Sequence, residues 1–392
     1  MKIKISTKSL LEALKSVSLP VGRSLMAAIP NVLISAPRCQ GGQAGSVTLA
    51  CTNTDHTIVA NVPARVEEAG RAAIPAKQLL TLVNKLTTQS VVISTDAKHN
   101  ANIAAGAARY QLRGSDPVNY PAFPIQAGQT FTMSQAALKT MLSRTVFCAS
   151  EDESHYVINS VCLDFSPSGE TKGVTTLTAI GTDLCRVATA EVTVPGSLTG
   201  PGTAAGIIVP RTAALKIRDA LTDDGEVTVQ YDSTRATFAI VGDNGTVNIT
   251  TLLVGGNYPK YKDVIPGNRP AVVGIPPYTP TKVTVNRGRL LRALQRVGRM
   301  ANPNAKMVSL HCSHDTLTIS ASGIAGDATE KLGIKFTGIQ FATKINPEYI
   351  TSALKVVPGD VVELLVTNGV EPVVMKSTFP FIYVAMPMRT SS

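Results

Sequence analysis

The sequence predicts an α+β chain made of three repeated domains, each with two helices packed on antiparallel sheet. Three observations predict it. A short helix entered through a proline occurs at Ile74-Pro75-Ala76-Lys77, at Ile208-Val209-Pro210-Arg211 and at Ile345-Asn346-Pro347-Glu348, with 135 and 137 positions between the prolines. That period is the size of a domain, too long for a solenoid repeat. A strand-like run recurs, Thr48 through Thr54-Asp55 against Thr176 through Thr182-Asp183, with a shorter echo from Thr316 to Ala321. An exit motif closes two copies: Asn119-Tyr120-Pro121 through Pro124, then Asn257-Tyr258-Pro259 through Pro266, 138 positions on. The 392 residues divide into 1–125, 126–268 and 269–392, each long enough to bury a core.

In order along the chain, Lys2 to Ser6 alternates like a strand. A helix follows from Thr7 to Val17, capped by Ser6 or Thr7, with Leu10, Leu11, Leu14 and Val17 on one face. Short runs rich in Val, Ile and Thr read as hairpin strands: Asn31 to Ser35, Ser46 to Cys51, His56 to Val62, Val91 to Ser94, Ala101 to Ala104 and Arg109 to Arg113. The remaining helices are expected at Pro75 to Leu86, Ser134 to Thr145, Pro210 to Leu221, Asn286 to Met300 and Asn346 to Val357. Proline suits the first helical position, where its missing N–H would have no partner.

Composition narrows the class. Hydrophobic residues make up 44% of the chain, and no apolar run reaches the 18 or so residues of a membrane span. The start lacks the apolar core of a signal peptide, so a soluble, cytoplasmic protein is expected. The six cysteines, Cys39, Cys51, Cys148, Cys162, Cys185 and Cys312, contain no CxxC spacing and read as buried reduced thiols. His311-Cys312-Ser313-His314 is the one cluster of ligand-type residues, but alternate strand residues face opposite sides, so no metal or other cofactor is expected. No GxSxG, HExxH, P-loop or Rossmann glycine pattern is present, and the repeated Thr-Asp pairs at strand ends suit a turn better than acid–base chemistry. An enzyme is not expected.

Charge carries more. The chain holds 37 basic and 27 acidic residues, net +10. The six helical spans hold fifteen Lys and Arg against three acids, Glu12, Asp219 and Glu348, so the rest of the chain sums to about −2. In the fifth helix Arg289, Arg292, Arg296 and Arg299 fall within about 80° of arc, opposite Leu290, Leu291, Leu294 and Val297. An ordinary solvated face carries mixed signs with acids spaced for i to i+4 pairing. Scarce acids point instead to a polyanion, and a duplex is the natural one. With no zinc finger, no helix-turn-helix and 5% aromatics, what remains is sequence-independent phosphate contact.

These repeats resemble the bacterial sliding clamp, the beta subunit of the replicative DNA polymerase, over the whole chain. The marks are Thr54-Asp55 with Ile74-Pro75-Ala76-Lys77, Phe147-Cys148-Ala149-Ser150-Glu151-Asp152-Glu153 leading to Ile158-Asn159, Gly181-Thr182-Asp183-Leu184-Cys185-Arg186-Val187-Ala188, Val209-Pro210, and Met386-Pro387-Met388-Arg389. The resemblance implies a DNA clamp fold: a head-to-tail homodimeric ring with helices lining a hole around double-stranded DNA. It implies a processivity factor in the cytoplasm, at the nucleoid, serving the DNA polymerase III alpha subunit, the clamp loader, other polymerases and repair proteins through short linear motifs. A clamp-like scaffold or paralogue without a replicative role is the competing reading.

By position, Arg23 and Lys77 match DNA-facing sites, and Lys139, Arg211, Lys216, Arg289, Arg292 and Arg296 would add diffuse attraction. Tyr110 and Leu112 of one subunit would meet Met300 of the other. The peptide pocket, between the second and third domains, would take Ile158, Thr182, Leu184, Cys185, Arg186, Val187, Pro259, Val264, Asn346, Tyr349, Val370, Pro372, Val384, Met386, Pro387 and Arg389. Aliphatic and Met walls would adapt to a partner's Leu or Phe, with Arg186 and Arg389 bonding its backbone or carboxylate. The chain departs from the family pattern in four places: Leu184 and Cys185 stand where glycine and histidine are common, and His155 and Asp263 where arginine is frequent. Thr390-Ser391-Ser392 extends past the usual stop, and +10 is unusual for a family commonly net acidic.

Overall fold

The computed structural model describes residues 1–18, 30–38, 44–53, 55–121, 128–167, 173–200, 206–243, 245–265, 280–304, 306–324, 326–367, 369–377 and 380–388. Six α-helices stand among them: α1 (Thr7–Val17), α2 (Ala76–Val83), α3 (Gln135–Thr145), α4 (Arg211–Ala220), α5 (Arg287–Val297) and α6 (Pro347–Val356). The strand pairs among the described residues are antiparallel. The chain forms two compact units, residues 1–139, 194–202 and 212–253 in the first and residues 140–193, 203–211 and 254–392 in the second. The middle third is divided between them, because its strands continue the sheets of its neighbours in sequence.

The first unit is built on a twelve-stranded sheet. Its main path runs Ala108–Leu112, Ala101–Ala105, Ser90–Thr95, Lys2–Ser6, His56–Glu68, Gly245–Leu252, Arg235–Gly242, Glu226–Tyr231 and Gln129–Ser134. The strand from His56 runs six residues past the expected end at Val62, through Pro63. Proline is tolerated because one edge is partnered by Gly245–Leu252 only up to Asn61 and by Lys2–Ser6 only from Ala64, so its missing N–H falls between two ladders. α1 begins where expected, with Ser6 Oγ accepting from the Ser9 amide, and buries Leu10, Ala13, Leu14 and Val17.

The second unit holds two sheets. The larger runs Gly206–Pro210, Ser160–Pro167, Val174–Thr182, Arg186–Pro195, Phe381–Ala385, Val373–Lys376, Val361–Val366, Thr281–Asn286 and Lys335–Thr337. The smaller runs Gly326–Gly333, Thr316–Gly323, Val308–Ser313 and Phe341–Ile345. α5 and α6 close one core with them, burying Leu290, Leu294, Val297, Ile350 and Leu354. Arg287 bonds the carbonyls of Leu354 and Gly359, satisfying acceptors at the end of α6. His311 is exposed while Cys312 is buried, the alternation that keeps their side chains apart.

Two expectations about the repeat are corrected. Pro75 and Pro210 do not open helices: each is the last residue of a strand, Gly70–Pro75 and Gly206–Pro210, and the helix begins one residue later. At Pro75, φ of −56° and ψ of 112° serve the end of the ladder, and the next amide, Ala76, finds Pro30. Only Pro347 stands inside its helix, with Asn346 Oδ1 accepting from the Glu348 amide at 2.9 Å. The second correction concerns the Thr-Asp pair. Thr182-Asp183 corresponds to Thr52-Asn53, two residues before Thr54-Asp55, and Thr54 itself lies outside the described residues. Thr52 and Thr182 each donate to the carbonyl four residues on, His56 and Arg186. Asn53 Oδ1 and Asp183 Oδ1 each accept from the amides two and three residues on. Both are side-chain-capped turns, which any short acceptor at that position can close.

The exit motif repeats in its bonding as well as its letters. Tyr120 donates its hydroxyl toward the carbonyls of Asn31 and Ala50, at 3.1 and 3.0 Å. Tyr258 does the same to Ser160 and Ile180, at 3.3 and 3.2 Å. The tyrosine, rather than the proline after it, ties the end of each copy to its sheet.

Candidate nucleic-acid interface and docking pocket

α5 presents the basic face its spacing implied. Arg289, Arg292, Arg296 and Arg299 are exposed while Leu290, Ala293, Leu294 and Val297 are buried. The helix tally had missed the acids that strands and loops bring to it. Arg296 pairs with Glu330 at 2.5 Å, Lys139 with Asp223 at 2.8 Å and Arg211 with Glu151 at 2.6 Å. Lys216 is half-buried, and desolvation pulls its ammonium below the usual lysine range. Among the described residues Lys77, Arg289, Arg292 and Arg299 form no ion pair, so they carry the field most fully. Arg23 lies outside the described residues.

Tyr110 and Leu112 lie on Ala108–Leu112, which closes one end of the first unit's sheet path and leaves an edge for pairing. Tyr110 is 39% exposed. Met300 ends the turn after α5 and borders a basin with Arg292, Gln295, Arg296 and Arg299.

The pocket assembles within the second unit. A cavity of about 70 Å³ is lined by Thr182, Leu184, Cys185, Arg186, Val187, Pro259, Val264, Val384 and Met386, nine of the sixteen residues expected. Strand pairing explains the gathering. Arg186 and Val187 stand in register with Ala385 and Val384, and the Met386 amide bonds the Cys185 carbonyl at 2.8 Å. Ile158, Asn346, Tyr349, Val370, Pro372 and Pro387 do not border this cavity, and Arg389 lies outside the described residues. Sequence reasoning missed Lys260 and Tyr261, which complete one wall. Their only signal was adjacency to Pro259 in the exit motif, which had been read as a boundary.

Leu184, Val264 and Met386 are exposed at 65%, 36% and 38%, a group of large apolar side chains around a concave site. Leu184 has φ of +71°, the left-handed region that favours glycine. Cys185 is exposed, against the expectation of a buried thiol, whereas Cys51, Cys148, Cys162 and Cys312 are buried. Burial pushes the Cys51 and Cys162 thiols up to about 12; Cys39 lies outside the described residues.

Arg186 is committed within the fold. Its Nε bonds Asp183 at 2.8 Å and its Nη1 bonds Ser352 at 2.8 Å. The guanidinium also sits 5.1 Å from the centre of the Tyr349 ring and 5.9 Å from that of Phe147. These contacts make it a strut of the pocket wall, with fewer donors left for a partner than the sequence reading assigned.

The comparisons with known proteins agree with this geometry. Models of the DNA polymerase III beta subunit match the N-terminal domain at residues 1–124, the central domain at 132–260 and the C-terminal domain at 274–389. The beta sliding clamp of Chlamydia pneumoniae is 29% identical over 347 residues, covering 87% of this chain and 88% of the relative. That of Caulobacter vibrioides is 26% identical over 404 residues, covering 99% and 100%. A solved sliding clamp from Bartonella birtlesii, bound to griselimycin, matches with a TM-score of 0.87 at 26% identity over 100% of both chains. One from Bacillus subtilis matches with a TM-score of 0.86 at 21% identity over 100% of both, a likeness of fold alone. Matched almost from end to end by three domains of one subunit in their order, the chain belongs to the DNA polymerase III beta subunit family, the bacterial sliding clamps.

Proposed function

We propose that the protein is a sliding clamp that encircles duplex DNA and tethers the replicative polymerase for processive synthesis. The observation that carries the reading is the tiling of the chain by the three beta-subunit domains, which supports domain limits at 1–125, 126–268 and 269–392. Two copies would close head to tail, the edge strand of Tyr110 and Leu112 meeting the turn at Met300. Duplex would be held by average attraction from Arg23, Lys77, Arg289, Arg292 and the other basic side chains of the helices, without base contacts. Because a ring retains DNA topologically, tight contacts would only oppose movement. The role is non-catalytic, and the cytoplasm at the nucleoid is its place; among the described residues no helix is long and apolar enough to cross a membrane.

The apolar pocket would dock short linear motifs of the polymerase alpha subunit, the clamp loader, other polymerases and repair proteins. Clamp loaded on a nicked circle should survive a high-salt wash and be lost once the circle is linearised. Equal loss from both templates would overturn encirclement and favour an open scaffold.

A further inference from the structure

The wall completed by Lys260 and Tyr261 has a cavity on each side. One is the pocket just described; the other, about 440 Å³, borders the same segment and is lined by Cys162, Asp164, Ile208, Tyr258, Pro259 and Tyr261 among others. Of this segment, Tyr258 and Tyr261 pack their rings against the buried cluster of Cys162, Ile180, Ile208 and Val384, so side chains place it. Its backbone bonds are local, Tyr261 to Pro259 and Asp263 to Lys260, and no ladder bond joins residues 257–264 to the sheet among the described residues. The outer anchor is a side chain. Asp164, 6% exposed on the strand Ser160–Pro167, accepts from the Tyr261 hydroxyl at 3.0 Å and faces the Lys262 ammonium at 3.7 Å. A carboxylate buried at that depth is costly unless bonded, and both of these partners come from the wall.

We propose that Asp164 is a positioning residue for peptide docking, holding through Tyr261 the wall from Pro259 to Val264 at the spacing the pocket requires. Tyr258 pins the segment at its start, and Asp164 pins it where it lines the pocket. The inference rests on the docking reading. Asp164 itself does not border the docking cavity, so its loss acts on a partner only through the wall.

The test uses the full-length chain and two readouts: amide hydrogen exchange across residues 257–264, and the dissociation constant of griselimycin, the ligand of the Bartonella birtlesii clamp, which the docking reading places in this pocket. Asp164→Ala and Tyr261→Phe should each speed exchange in that segment and weaken the probe by about tenfold, the effect of one lost hydrogen bond to a charged group. Their combination should be no worse than either alone. Asp164→Asn, which keeps an acceptor oxygen, should restore affinity to within about twofold if the bond rather than the charge sets the wall. Unchanged exchange in Asp164→Ala overturns the positioning role, and so does faster exchange with unchanged affinity. A wild-type chain that binds no probe overturns the docking reading instead, while the exchange measurement still decides whether Asp164 holds the wall.

Discussion

Arg296 on α5 clamps Glu330 of the strand Gly326–Gly333 with two bonds, Nη2 to Oε1 at 2.5 Å and Nε to Oε2 at 3.1 Å. The pair removes one unit of charge from the most basic helix and leaves Arg289, Arg292 and Arg299 unpaired beside it. Glu330→Gln should release that charge. Tighter duplex binding at low salt is expected, with the slope of log K against log salt steeper by about 0.9, while Arg296→Gln alone should change it little. Equal slopes for wild type and Glu330→Gln would mean that this face of α5 does not meet the duplex.

How far the sequence could be read depended on whether a residue's partners were local. α1 and α5 were legible almost to the residue, since a 3.6-residue apolar stripe and a polar cap are both written within one helix. Glu330 was not, because it reaches Arg296 from a strand more than thirty positions on. The strand Gly70–Pro75 was not expected, its last two residues being read as the start of a helix, and the Thr52-Asn53 turn was misaligned because its chemistry tolerates Asn for Asp. Of the pocket, the residues on the paired strands around Arg186 and Val384 were found, while Lys260 and Tyr261 were not. They belong to a wall outside the strand ladders, a 3-10 turn over Tyr261–Val264 whose position depends on Asp164, almost a hundred residues earlier.

His56 lies buried in the first unit, with Thr251 Oγ1 3.0 Å from Nδ1 and Thr212 Oγ1 3.2 Å from Nε2. Burial first, and then the Lys216 ammonium, pull its imidazole down to about 4. The unfolded chain takes up this proton near pH 6.5, while the folded chain refuses it until about pH 4. Stability from this residue is therefore complete above pH 6.5 and is lost as pH falls through that window, by roughly 3 kcal/mol at its foot. Denaturant titrations of wild type and His56→Gln should show their stability difference shrinking by that order between pH 7 and pH 4. A difference that stays level would show that His56 titrates alike in the folded and unfolded chains.

Leu184 sets stability against docking at one position. Its φ of +71° costs a non-glycine residue about 1 kcal/mol. Leu184→Gly should recover about that much, read as a higher denaturant midpoint, and Leu184→Val should lower it, since a β-branched side chain fits the left-handed region worse. The same substitution removes an apolar side chain, 65% exposed, from the lip of the cavity. A ligand covering that surface gains about 1 kcal/mol from it, so griselimycin should bind Leu184→Gly several-fold more weakly. Gain in stability with loss of affinity is the pairing expected of a strained residue kept for its surface. A variant that gains stability and keeps its affinity would show that Leu184 lies outside the footprint of the probe. One that gains no stability would show that the surrounding turn already accommodates a side chain there without strain.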